Sequence, residues 1–161
     1  MVIEPVTKND IVRIADMYFD LYCHVYKRPD SNREKDKLIK YVKDRLGRKD
    51  YLIYKAIDHD MIVGTIASKS LNSRRGFITD AYVEPDFRRK GILKTLEEHV
   101  LNQFRNQGIK IVELNVRSDN VEGVSTWNAL GYQLKKRVSG KKVDKLIMVK
   151  EIKQIKMKCY K

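Results

Sequence analysis

"ITDAYVEPDFRRKGILKTLEEHV", running from Ile78 to Val100, changes its period halfway along. The first half, within "GFITDAYVEP", is strand-like, and Pro85 ends it because proline has no N–H to give an interior ladder. From Lys90 onward the apolar residues repeat at helical spacing: Ile92, Leu96 and Val100 align, with Leu93, Leu101 and Phe104 beside them. Gly108 closes that helix. Between the halves lie three consecutive basic residues, Arg88, Arg89 and Lys90, followed by Gly91. The first N–H groups of a helix have no intrahelical acceptor and sit at the positive end of its dipole, so a phosphate is a natural occupant. Gly91 lets the backbone approach closely, and the cations add field and donors. Taken alone, a solvated helix start after a proline turn explains the same residues.

The neighbouring sequence supplies alternating elements. "MVIEPV" reads as a first strand, and Thr7, Asn9 or Asp10 can cap a helix through "IVRIADMYFDLYCHVYK", where Ile11, Ile14, Ala15, Tyr18, Leu21 and Tyr22 share a face. A second helix begins at Ser31, carries Leu38, Ile39, Val42 and Leu46 on one stripe, and stops at Gly47. "YLIYKAID" and "MIVGTIASKS" make a hairpin around His59. Beyond Gly108, "IKIVELNV" is a strand, "NVEGVSTWNALG" a short helix, and "YQLKKRV" and "KLIMVKEI" two closing strands.

The 161 residues suit one domain, expected over 1–153, with 154–161 as a basic C-terminal tail. No stretch approaches the roughly 18 apolar residues of a membrane span, and the first residues lack the basic and apolar regions of a leader, so a soluble cytoplasmic protein without a membrane partner is expected. Cys23 and Cys159 stand far apart and the three histidines form no ligand spacing, so neither a disulfide framework nor a metal site is expected. Neither GxxxxGK[ST] nor GxGxxG occurs. The net charge of +13 favours an anionic partner such as nucleotide, nucleic acid, ribosome or acidic protein. A Lys-rich solvated surface accounts for it equally well.

Two linked segments carry a resemblance. Ile78 to Val100 resembles the signature segment of the GNAT N-acetyltransferase superfamily, in which a DxxVxP strand leads into an R/Q-x-x-G-x-G/A loop holding the coenzyme A pyrophosphate; that loop corresponds here to Arg88-Arg89-Lys90-Gly91-Ile92-Leu93. "LNVRSDNVEGVSTWNALGY", Leu114 to Tyr132, resembles the family's second segment, with Asn120, Trp127 and Gly131-Tyr132 at the corresponding places. The resemblance implies an α/β (α+β) fold with a mixed, mostly antiparallel sheet of six to seven strands and about four helices. It also implies an acetyl-CoA-dependent N-acetyltransferase acting by direct transfer. Backbone groups at Tyr82 and Val83 would pair with pantetheine, an N–H near Ala81 would polarise the thioester carbonyl, and residues from Arg88 to Lys94 would serve the pyrophosphate. Asn120 and Trp127 would flank the lower part of the coenzyme, although a packing role for Trp127 fits as well.

Three positions depart from the family pattern. Leu93 stands where Gly or Ala is usual, Trp127 where many members have a Tyr acid, and Asn115 where N-terminal and ribosomal-protein acetyltransferases have a Glu base. Asp80 then becomes the side-chain candidate for a base or an amine-binding carboxylate, against a reading in which it caps or pairs with a neighbouring Arg. A Lys-type amine of pKa ~10.4 costs about 4.6 kcal/mol to neutralise at pH 7, an α-amine near 7.7 only about 1 kcal/mol. The missing Glu therefore leans toward an α-amino group or another weakly basic amine, or toward a water relay to Asp80 or a Tyr hydroxyl. The resemblance places the acceptor near the first two helices and the closing hairpin, where Tyr18, Tyr22, Tyr26, His24 and Tyr132 occur. Candidate partners are acetyl-CoA, an amine acceptor (a small molecule or a protein N-terminus), an acidic or ribosomal protein, and a second copy of the chain in a homodimer. A catalytically weak acyl-CoA sensor, or a basic nucleic-acid- or ribosome-binding protein on the same scaffold, is the alternative.

Overall fold

The computed structural model describes residues 1–27 and 32–153. The expected helix start at Ser31 and the basic tail 154–161, with Cys159, lie outside the described residues. Seven strands and four helices follow the expected order. They are β1 (Val2–Pro5), α1 (Ile11–Tyr26), α2 (Asn32–Leu46), β2 (Tyr51–Asp58), β3 (Met61–Ser70), β4 (Arg75–Val83), α3 (Ile92–Asn106), β5 (Ile111–Arg117), α4 (Val121–Ala129), β6 (Gln133–Val138) and β7 (Lys145–Glu151). The mixed sheet has the strand order β1-β2-β3-β4-β5-β7-β6, with antiparallel pairing of β1 to β2, β2 to β3, β5 to β7 and β6 to β7.

The chain packs as two compact units, one of Met1–Lys69 with Ile78–Val100, the other of Ser70–Phe77 with the chain from Leu101 onward. In the first, His59 and Asp60 take φ of 46° and 61°, the pair of left-handed residues that lets a two-residue turn follow the strand twist of the β2–β3 hairpin. Ile14, Met17 and Tyr18 of α1 and Leu38 and Val42 of α2 bury against Ile53 of β2, Ala67 of β3 and Tyr82 of β4. On the other face of β3, a Cβ at Gly64 would lie 3.2 Å from Ile92 Cγ2 and 3.3 Å from Leu96 Cδ1, so the missing side chain is what lets α3 lie close to the strand. Lys55, almost buried in β2, donates to Asp10 Oδ2 at 2.8 Å. Burial opposes the charge on Asp10, yet the Lys55 hydrogen bond and those from Thr7 outweigh it and hold the carboxyl below its ordinary value.

In the second unit the buried side of β5 is Val112, Leu114 and Val116, and that of β7 is Leu146 and Met148, alternation that follows directly from the two-residue strand period. Phe104 covers Gly76 so closely that a Cβ there would come within 2.4 Å of the ring. Among the described residues no helix is long and apolar enough to cross a membrane, and no group of metal-binding side chains is found.

Candidate active site

The basic turn expected from sequence lies at the end of β4. Glu84 N–H donates to Val63 O at 2.9 Å, and Arg13 of α1 donates to both Ile62 O (3.0 Å) and Glu84 Oε1 (2.5 Å), so the strand end is fixed before the chain turns at Pro85. A single 3-10 turn, Pro85–Phe87, leads out of the strand. Arg89 and Gly91 then adopt φ of 61° and 78°. Left-handed residues at these two positions turn successive backbone N–H groups toward one side, a concavity suited to an anion. Thr95 N–H donates to Gly91 O at 3.0 Å, the first intrahelical bond of α3, which leaves the N–H groups of Ile92, Leu93 and Lys94 as the orphans of the first turn. A Cβ built at Gly91 would meet nothing within 4 Å, so the turn is open on that side.

The side chains divide in role. Arg89, Lys90 and Lys94 are exposed, Ile92 is buried, and Leu93 is half-buried. Arg88 Nε donates to Val83 O at 3.0 Å, and its guanidinium lies 5.7 Å from the Tyr82 ring centre. Arg88 thus ties the turn to the strand and takes one of the two lone pairs of the Val83 carbonyl. Lys90 Nζ sits 4.9 Å over the Phe87 ring.

Asp80 is 6% exposed and on the face of β4 covered by α1 and α2. Its Oδ1 accepts from Tyr22 Oη of α1 at 3.0 Å and its Oδ2 from Tyr41 Oη of α2 at 2.8 Å. Among the described residues the side-chain hydrogen bonds to Asp80 come from these two tyrosines. Burial first, and then the Asp80 charge, push both phenols far above the ordinary tyrosine range, so each remains a donor. The fully buried Tyr18 hydroxyl lies in the field of the same three groups, with the Thr65 side chain beside it. The Arg45 guanidinium lies 3.2 Å from the Tyr41 ring centre. Tyr41 and Arg45 were not singled out in the sequence, because Tyr41 sits inside the apolar stripe of α2. Their i, i+4 spacing is the signal that would have found them.

The remaining candidates lie in the second unit. Asn120 caps α4, its Oδ1 accepting from Gly123 N–H at 3.0 Å. Gly123 is suited to that cap, since a Cβ would fall 2.5 Å from the Asn120 amide. Trp127 is half-buried and meets Tyr132 edge-on, ring centres 5.2 Å apart. Asn115 is exposed on β5.

The comparisons with known proteins agree with this architecture. The model of the acetyltransferase (GNAT) family matches residues 13–132, and the chain belongs to that family. Over 50 residues it is 32% identical to the [ribosomal protein bS18]-alanine N-acetyltransferase of Salmonella typhimurium, a match covering 31% of this chain and only 34% of that relative. The coenzyme A complex of PaiA N-acetyltransferase from Thermoplasma acidophilum superposes with a TM-score of 0.74 at 20% identity, over 94% of this chain and 99% of that one. The ribosomal-protein-S18-alanine N-acetyltransferase of Escherichia coli gives 0.72 at 17% identity, over 99% of both chains. At these identities the structural likeness speaks for the fold.

Proposed function

We propose that the protein is an acetyl-CoA-dependent N-acetyltransferase acting on a primary amine, with the coenzyme diphosphate seated on the turn from Arg88 to Lys94. The observation that carries this reading is the pair of left-handed residues, Arg89 and Gly91, at the start of α3. It aims backbone donors where two phosphates need them, with Arg89, Lys90 and Lys94 supplying charge. The turn is also open beside Gly91, where a Cβ would meet nothing within 4 Å. Acetyl-CoA would supply an acetyl group already activated as a thioester. The backbone of Tyr82 and Val83 would align the pantetheine arm and the Ala81 N–H would polarise the carbonyl, so the chain's part is chiefly positioning and electrostatics.

The acceptor is a small molecule or a protein N-terminus. The short match to an alanine N-acetyltransferase supports an α-amine, as does the exposed Asn115 where that branch has a carboxylate. Two measurements test the proposal. Titration calorimetry with acetyl-CoA should give a saturable isotherm, and a panel of peptides, polyamines, aminoglycosides and amino acids should include a substrate. No heat at millimolar coenzyme refutes it.

A further inference from the structure

We propose that the amine is deprotonated by a composite base, in which Tyr41 and Tyr22 present the buried Asp80 carboxylate to the acceptor and Tyr41 relays the proton. This rests on the acetyltransferase reading and specifies how its acceptor site works. A carboxylate that is 6% exposed, with one phenol on each oxygen, has no open face toward a ligand. The two phenols that cover it are themselves only half-buried, so they are the nearest groups through which it can be reached. A hydroxyl that donates to an anion becomes a stronger acceptor through its own lone pairs, so the Asp80 charge reaches the acceptor as two polarised oxygens. An ammonium group, a pure donor, is the ligand such oxygens select.

Two features single out Tyr41 for the relay. Its hydroxyl is the nearer to the carboxylate, 2.8 Å against 3.0 Å for Tyr22. Arg45 lies against its ring face and donates to its backbone carbonyl at 3.3 Å, so the ring is held in place beside Asp80. Tyr22 instead faces the edge of Tyr26. Other groups around Tyr41 are Tyr18 and Tyr22 on α1 and Tyr51 on β2. The steps balance. An ammonium N–H breaks and its proton passes to Tyr41 Oη. The Tyr41 O–H breaks in concert and that proton passes to Asp80 Oδ2. The neutral amine keeps the electron pair, and Asp80 later returns its proton to solvent through the same hydroxyl.

The test compares wild type, Tyr41→Phe, Tyr22→Phe and Asp80→Asn with two probes, n-butylamine and alanine amide, at saturating acetyl-CoA. At pH 7 the neutral fraction is roughly 1 in 2,500 for the first and about 1 in 6 for the second, from amine pKa values near 10.4 and 7.7. Tyr41→Phe should lower kcat about 100-fold for n-butylamine, within the usual range for a proton-transferring group, and only a few-fold for alanine amide. Tyr22→Phe should chiefly raise the amine KM. A merely structural role lowers both substrates equally and tracks the melting temperature, and that outcome overturns the inference. Equal kcat in wild type and Tyr41→Phe overturns it too, as does a wild type that acetylates neither amine. Acetyl-CoA calorimetry on the same samples keeps the two readings separate: normal coenzyme binding with substrate-independent losses sinks the composite base alone, whereas absent binding sinks the acetyltransferase assignment.

Discussion

Gly91→Ala isolates the backbone part of the diphosphate grip. With φ of +78° and open space around its Cβ position, the substitution introduces no clash and leaves every charge in place. The cost is the left-handed conformation itself, about 1–2 kcal/mol for a residue with a Cβ, of which ~0.4–1 kcal/mol is offset because alanine also restricts the unfolded chain. The net loss is about 1 kcal/mol, read in urea melts as a lower midpoint at unchanged slope, or as roughly 2–4 °C in Tm. If the turn escapes strain by rotating, at least one N–H leaves the phosphates. A charge-assisted hydrogen bond contributes ~1.5–3 kcal/mol, so calorimetry should show acetyl-CoA affinity falling about tenfold to a hundredfold. Arg89→Gly is the complement, keeping the left-handed turn and removing a charge. By the same arithmetic, run in reverse, it should raise stability by about 1 kcal/mol, and it should weaken coenzyme binding in a salt-dependent way. The reasoning fails if Gly91→Ala binds acetyl-CoA as wild type does while paying its stability cost, because the turn geometry would then be irrelevant to the ligand.

Three further outcomes follow from packing and charge. Gly76→Ala should destabilise by about 1–3 kcal/mol in denaturant melts, because its Cβ would come within 2.4 Å of Phe104 and the ring must move. Asn120→Ala should cost about 1 kcal/mol in the same melts through loss of the α4 cap. Lys55→Met should cost about 3 kcal/mol, since it strands Asp10 where both side chains are only 10–12% exposed. The Asp10 carboxyl is held below its ordinary value of 3.8 in the folded state. Its stabilising contribution is therefore complete above that value and lost as pH falls through the lower folded value, and acid melts of Lys55→Met should have a shallower slope in that window than wild type.

What the sequence determined by itself was local. The period change between Val83 and Ile92 placed a strand, a turn and a helix, and the glycines at 91 and 108 fell where the chain takes positive φ. The positive φ at Arg89 was not legible, since arginine has no preference for it; the surrounding turn imposes it. Asn120 was read as a coenzyme contact, and the structure gives its side chain a prior task as a helix cap. A cap is a three-residue relation and was available from the sequence, whereas the partners of Asp80 were not. Tyr22 and Tyr41 stand 58 and 39 residues from Asp80, and only the packing of α1 and α2 on one face of β4 selects them from nine tyrosines. Periodicity says which face of an element is buried, but the identity of the group met there is a contact between segments. Each segment contributes one polar atom to a site that none of them encodes alone.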